Sequence, residues 1–173
     1  EAVRSLGYLI DHPIFQASFA NLFMDADAIE KGVPLFALLG GEKDKVEVGV
    51  SISKNETPDQ ITAKIVKDKF RRIKVKVGPT VEDFNKIKAL REQFPNVLLM
   101  IDANSSFDVR DPQQRKLLFD YGELHLLMME QPLAHNDIAY HVGLQKFFDS
   151  HNVPGKICLD ESIHTMDDLR QAV

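Results

Sequence analysis

Three apolar runs in this sequence each end in an acid: Leu98-Leu99-Met100-Ile101 runs into Asp102, Leu127-Met128-Met129 into Glu130, and Ile157-Cys158-Leu159 into Asp160. A fourth run, Ile73-Lys74-Val75-Lys76-Val77, carries two lysines at alternate positions. From Lys76 the charged positions recur at steps of 26, 28 and 30 residues (76 to 102, 102 to 130, 130 to 160), each about one strand-plus-helix repeat. A single acid past a strand is ordinary, because the following loop is solvated. Three in succession, at the carboxyl ends where α/β proteins build their sites, point to function. Converging carboxylates raise one another's pKa unless a cation holds them. Oxygen ligation without Cys or His suits a hard ion, and a site that also admits a substrate oxygen favours Mg²⁺, with Mn²⁺ as the alternative. Lys74 and Lys76 share one strand face. Lys76, facing the metal, is the candidate base, and the positive charge of Lys74 favours its neutral form. A metal opposite a lysine suits one reaction class, removal of a proton α to a carboxylate with the developing enediolate stabilised by the cation.

The elements that must position these groups alternate. An amphipathic helix with Ile14, Phe15, Phe19, Leu22, Phe23, Ala26 and Ile29 on its apolar positions is stopped by Lys31-Gly32-Val33-Pro34, and a short apolar piece, Leu35 to Leu39, ends at Gly40-Gly41. Thereafter the pattern predicts strands at Val46–Ile52, over the paired lysines, and at Val97–Ile101, Leu124–Met129 and Lys156–Leu159. Between them it predicts helices from Pro58 to about Phe70 with Thr57 as N-cap, from about Val81 to Phe94, over Pro112–Tyr121, from about Asp137 to Ser150, and one opened by Thr165. Continuous apolar strands alternating with helices indicate a parallel sheet buried on both faces. Alternation alone leaves an open doubly wound sheet and a closed barrel both standing.

Composition narrows the function classes. A chain of 173 residues, 44% hydrophobic and 27% charged, has apolar material for one core, and its formal charge of -5 gives no basic footprint for nucleic acid. No apolar run approaches the roughly 20 residues that span a bilayer. The one cysteine, Cys158, cannot form an internal disulfide, and a cytoplasmic setting is the default. The chain opens on Glu1 rather than Met, and a missing upstream segment is expected.

Lys74-Val75-Lys76, Asp102-Ala103-Asn104, Glu130-Gln131-Pro132-Leu133 and Asp160-Glu161-Ser162, at their spacing, resemble the enolase superfamily, muconate-lactonizing subgroup. The match runs from about Phe15 to Val173. Ile157 to Ile163 and the strand Val48 to Ile52 look most like the o-succinylbenzoate synthase / N-succinylamino acid racemase family. The resemblance implies a partial TIM-like (β/α)8 barrel of about five βα units over 46–173. Residues 1–45 would supply the end of a mostly absent N-terminal capping domain and its connecting helix. It implies Asp102, Glu130 and Asp160 as Mg²⁺ ligands, Lys76 as the base that abstracts the α-proton and then helps expel hydroxyl as water, and Lys74 as support for its charge state. Asn104 would contact substrate or back the metal ligands, and Glu161 would back them. The activity implied is o-succinylbenzoate synthase in the menaquinone pathway, with N-succinylamino acid racemase activity alongside it. Dipeptide epimerase and cycloisomerase are the related alternatives. The partner implied is a small-molecule carboxylate, without nucleic acid or membrane, and the full-length protein has room to form a homo-oligomer. The further lysine of the family's site, across the substrate from Lys76, is expected beyond Val173, and this stretch alone is expected to turn over little.

Two other classes stand against this reading: an inactive truncated fragment, and a phospho-receiver-like domain, which also has five βα units and an acidic Mg²⁺ pocket. A receiver places acids after strands one and three and a lysine after strand five, whereas Ser51-Ile52-Ser53-Lys54 closes strand one here and Asp160 closes strand five. His12, His125, His135, His141, His151 and His164 lack metal spacing and are expected at the surface or in packing. Cys158 is expected as a small buried thiol.

Overall fold

The computed structural model describes residues 13–43 and 45–173, and the chain divides into two compact units, one ending at Glu47 and one spanning Val48–Val173. In the first, helix α1 (Pro13–Glu30) ends at Gly32, whose φ of 65° lets Val33 N–H turn back to the Ala28 carbonyl at 3.0 Å. The short helix α2 (Leu35–Leu38) follows after Pro34. His12, with the rest of 1–12, lies outside the described residues.

The second unit runs β1 (Val50–Ile52), α3 (Pro58–Val66), β2 (Arg72–Lys76), α4 (Val81–Gln93), β3 (Leu98–Asp102), α5 (Pro112–Gly122), β4 (Met129–Glu130), α6 (Ile138–Ser150), β5 (Ile157–Cys158) and α7 (Met166–Ala172). All four strand pairings are parallel, and the sheet order is β1-β2-β3-β4-β5. That order decides between the two architectures left open above. A doubly wound sheet reverses direction at a switch point, and a receiver places its first strand inside the sheet. Here every strand is added beside its predecessor, as in a (β/α)8 barrel.

The helices start where their caps dictate. Thr57 and Gln60 form a reciprocal capping box on α3, Thr80 accepts from Asp83 N–H on α4, Asp111 caps α5, and Thr165 with Asp168 forms a second box on α7. Ile87 and Leu90 of α4 are buried, with Phe84 and Phe94 packed against the same core. In β2, Ile73 and Val75 are wholly buried on the helix-covered face, each worth about 1.5–3 kcal/mol of burial.

Several expected boundaries move. Strand β1 begins at Val50 rather than Val46, because only Val50–Ile52 finds partners on β2, while Val46 and Val48 are exposed. Helix α3 stops at Val66, since Lys69 adopts a left-handed φ of 58°. Strand β4 shrinks to Met129–Glu130 because His125, at φ 50°, turns the chain. Leu127 nonetheless donates to the Leu99 carbonyl at 2.7 Å. Strand β5 narrows to Ile157–Cys158.

Candidate active site

The parallel register brings the charged strand ends together. Lys76 pairs with Asp102, Asp102 with Glu130, and Glu130 with Cys158. Asp160 therefore lies two residues beyond the position level with Glu130, in the turn that follows β5. Asp102 and Glu130 are 3% and 9% exposed, so two carboxylates sit side by side out of water.

Lys74 answers that charge. Its Nζ donates to Glu130 Oε1 at 2.7 Å and lies 3.3 Å from Asp102 Oδ2. Burial pulls the Lys74 ammonium down, and the hydrogen bond to Glu130 with the charges of Asp102 and Glu130 outweighs it, so the pKa ends above the usual lysine value. Lys74 is thus a charged group fixed between two acids rather than a proton acceptor.

Lys76 is engaged differently. Its side chain is about half exposed, 4.0 Å from Asp102 Oδ2, and donates to Asn104 Oδ1 at 2.9 Å. Asn104 Nδ2 donates in turn to Glu161 Oε1 at 3.0 Å, and Asn104 N–H donates to Asp102 Oδ1 at 3.1 Å. Asn104 makes these contacts from a left-handed backbone, φ 42°, and Ser105 follows at 62°. Such residues cluster at sites where the surroundings hold the strain. The second oxygen of Glu161 is buried without a hydrogen-bond partner. The structure so joins Lys74, Lys76, Asp102, Asn104, Glu130 and Glu161 in one network.

Asp102 and Glu130 close β3 and β4, and Asp160 follows two residues after the end of β5. Among the described residues no three His, Cys, Asp or Glu side chains are grouped closely enough to hold a metal ion. Asp102 and Glu130 share the Lys74 cation, and Asp160 is exposed beyond β5. The donor chemistry fits a hard divalent cation: carboxylate oxygens only, two of them on buried, adjacent side chains.

Two buried polar residues beside the site carried no expectation from the sequence beyond packing. His141 is 1% exposed; Leu133 N–H donates to its Nε2 at 3.0 Å, and its Nδ1 faces the Asp137 carbonyl at 2.9 Å. That pairing requires the neutral ring with its proton on Nδ1. Gln131, wholly buried next to Glu130, is the other. The signal for Gln131 is a polar residue next to a strand-end acid, and for His141 a polar residue within the apolar start of a helix. His125, His135, His151 and His164 are exposed, and Cys158 is half-buried rather than enclosed.

Parallel strands in sequential order, with acids and lysines at their carboxyl ends, define part of a barrel enzyme of the TIM type. The chain belongs to the enolase C-terminal domain-like family, whose model matches residues 56–173. It is 40% identical to the o-succinylbenzoate synthase of Bacillus subtilis (strain 168) over 175 residues, covering 100% of this chain and 45% of the relative. It is 35% identical to the N-succinylamino acid racemase of Thermus thermophilus over 177 residues, covering 100% and 46%. A crystal structure of an enolase superfamily member from Listeria innocua Clip11262 superposes with a TM-score of 0.72 at 33% identity, over 86% of this chain and 38% of that one. The chain spans less than half the length of each of these relatives. Among the described residues no helix is long and apolar enough to cross a membrane.

Proposed function

We propose that the protein removes the proton α to a carboxylate of a small-molecule substrate and, as an o-succinylbenzoate synthase of menaquinone biosynthesis, completes a dehydration. The observation that carries this reading is the pairing of an accessible lysine with buried acids at one sheet end: Lys76 is half exposed and level with Asp102, and Lys74 sets one positive charge against the two carboxylates of Asp102 and Glu130. Lys76, as the free amine, takes the α-proton on Nζ, and the C–H electron pair moves into the substrate carboxylate. Asn104 Oδ1 orients that nitrogen. Lys74 holds its positive charge against Asp102 and Glu130 on the same strand face. The same Nζ then returns the proton to the departing hydroxyl, which leaves as water, and the new double bond takes up the electron pair. Asp102, Glu130 and Asp160 would hold Mg²⁺, or Mn²⁺ in its place. Bound there, the cation would supply electrostatic stabilisation of the charge that develops on the substrate carboxylate. We place the protein in the cytoplasm, with room for a homo-oligomer.

The likeness to an N-succinylamino acid racemase favours a second activity built on the same half-reaction. Proton removal from one face of the carbon and return to the other gives racemisation, and proton removal followed by loss of hydroxyl gives the synthase. The test is α-deuterium incorporation in D₂O with Mg²⁺ and an N-succinylamino acid, on the intact protein, beside a direct assay of o-succinylbenzoate formation. Lys76→Ala is expected to abolish exchange from one face of the α-carbon. Exchange at the wild-type rate on both faces would remove Lys76 as the base.

A further inference from the structure

Gln131 is 0% exposed, a costly place for a primary amide unless its polar atoms are answered. They are. Its Oε1 accepts from Asp160 N–H at 2.9 Å and from Ser162 N–H at 3.2 Å, and its Nε2 donates to Ser162 Oγ at 2.6 Å and to the Leu133 carbonyl at 3.2 Å. The main chain adds two more links: Gln131 N–H donates to the Cys158 carbonyl, and its own carbonyl accepts from Ser105 N–H, both at 2.8 Å. Its backbone is left-handed, φ 39°, a conformation uncommon for a residue with this side chain and held here by its surroundings. One residue thus ties the turn after β3, the end of β4 and the turn after β5 together. The carboxylate of Asp160 makes no hydrogen bond or ion pair among the described residues, so its place depends on the main chain that carries it.

We infer that Gln131 is a positioning residue: its side-chain amide fixes the Asp160–Ser162 turn against the end of β4 and so sets where the Asp160 carboxylate stands relative to Asp102 and Glu130. The inference rests on the proposed reading of Asp160 as a metal ligand.

The experiment is a double-mutant cycle on the intact protein, with Mg²⁺ affinity measured by calorimetry and amide hydrogen exchange read at Asp160 and Ser162. Gln131→Met keeps the shape and removes the bonds, and Asp160→Asn keeps one oxygen donor so that binding stays measurable. Gln131→Met is expected to weaken Mg²⁺ binding by about 10- to 100-fold and to speed exchange at both amides. In the Asp160→Asn background it should add little, because the two residues act through one position. Wild-type affinity with slow amides in Gln131→Met, or an undiminished effect in the Asp160→Asn background, overturns the inference. If Asp160→Asn alone binds Mg²⁺ as the wild type does, the metal reading fails instead. Amide exchange then decides the positioning role, with slow amides in Gln131→Met overturning it. Should Gln131→Met not fold, Ser162→Ala removes only one of the two acceptors of Nε2, leaving the Leu133 carbonyl. It is expected to speed Asp160 exchange and weaken Mg²⁺ a few-fold, and wild-type behaviour on both counts overturns the inference.

Discussion

The ammonium of Lys74 lies 2.7 Å from Glu130 Oε1, which makes a lysine of β2 the counter-ion of an acid on β4. Asp102, between them in the sheet, shares that cation at 3.3 Å. Lys74→Met would leave two buried carboxylates facing each other. In EDTA it should lower unfolding stability by about 1–3 kcal/mol, read as the urea midpoint. Excess Mg²⁺ should reduce that deficit, because a divalent ion supplies the missing charge. An unchanged midpoint in EDTA would show that the pair contributes nothing to the fold.

Asn104 connects Lys76 to Glu161, with bonds of 2.9 and 3.0 Å on its two amide atoms. Asn104→Ala removes both. A base displaced by even an ångström reacts more slowly, so the rate of α-proton exchange should fall by about 10- to 100-fold, with KM changing less. Equal exchange rates in variant and wild type would sever Asn104 from the placement of Lys76.

Far from this chemistry, the Arg91 guanidinium closes the C-terminal end of α4. It donates to the carbonyls of Phe94, Pro95, Val97, Leu124 and His125 at 2.9–3.3 Å. Truncation to alanine strips a positive group from a helix C-terminus and leaves partly buried carbonyls unpaired. A loss of about 2–4 kcal/mol is expected in chemical denaturation. Arg91→Lys should recover less than half of it, because an ammonium cannot span five acceptors.

His141 gives a pH signature. Burial pulls its pKa below the ordinary histidine value, against the opposing effect of the Asp137 carbonyl. The unfolded chain then takes up a proton that the folded chain refuses. The contribution of His141 is fully present above about pH 6.5 and is lost as pH falls from there toward the folded pKa, at up to about 1.4 kcal/mol per pH unit. Denaturation midpoints from pH 8 to pH 5 should show this slope in wild type and a flatter profile in His141→Gln. Parallel profiles would mean that the ring takes up its proton equally in the folded and unfolded chain.

Much of this was legible in the sequence because it follows from short-range rules. Thr57-Pro58 and Thr165 announce helix starts, Gly32 announces a stop, and the alternation of Lys74 and Lys76 with Ile73 and Val75 assigns their faces. Spacing placed Lys76, Asp102 and Glu130 at one height, as the register has them. The strand order was not legible, since alternation is the same for sheets wound either way. Nor was the length of β4, because its end depends on His125 entering a left-handed conformation that many residues tolerate poorly. The path from β5 to Asp160 is not legible either: the strand stops at Cys158, and a buried glutamine supplies the next contacts. The roles of Gln131 and His141 are not legible because most of their partners are backbone groups, which no side-chain pattern advertises.

The sequential order of the sheet bears on how such a site can be assembled. Each strand lies beside the one before it, so every pairing is between neighbours in the chain. Lys74 on β2 is one strand from Asp102 and two from Glu130, so the cation and both acids come from three consecutive strands, and bringing them together requires no long crossover.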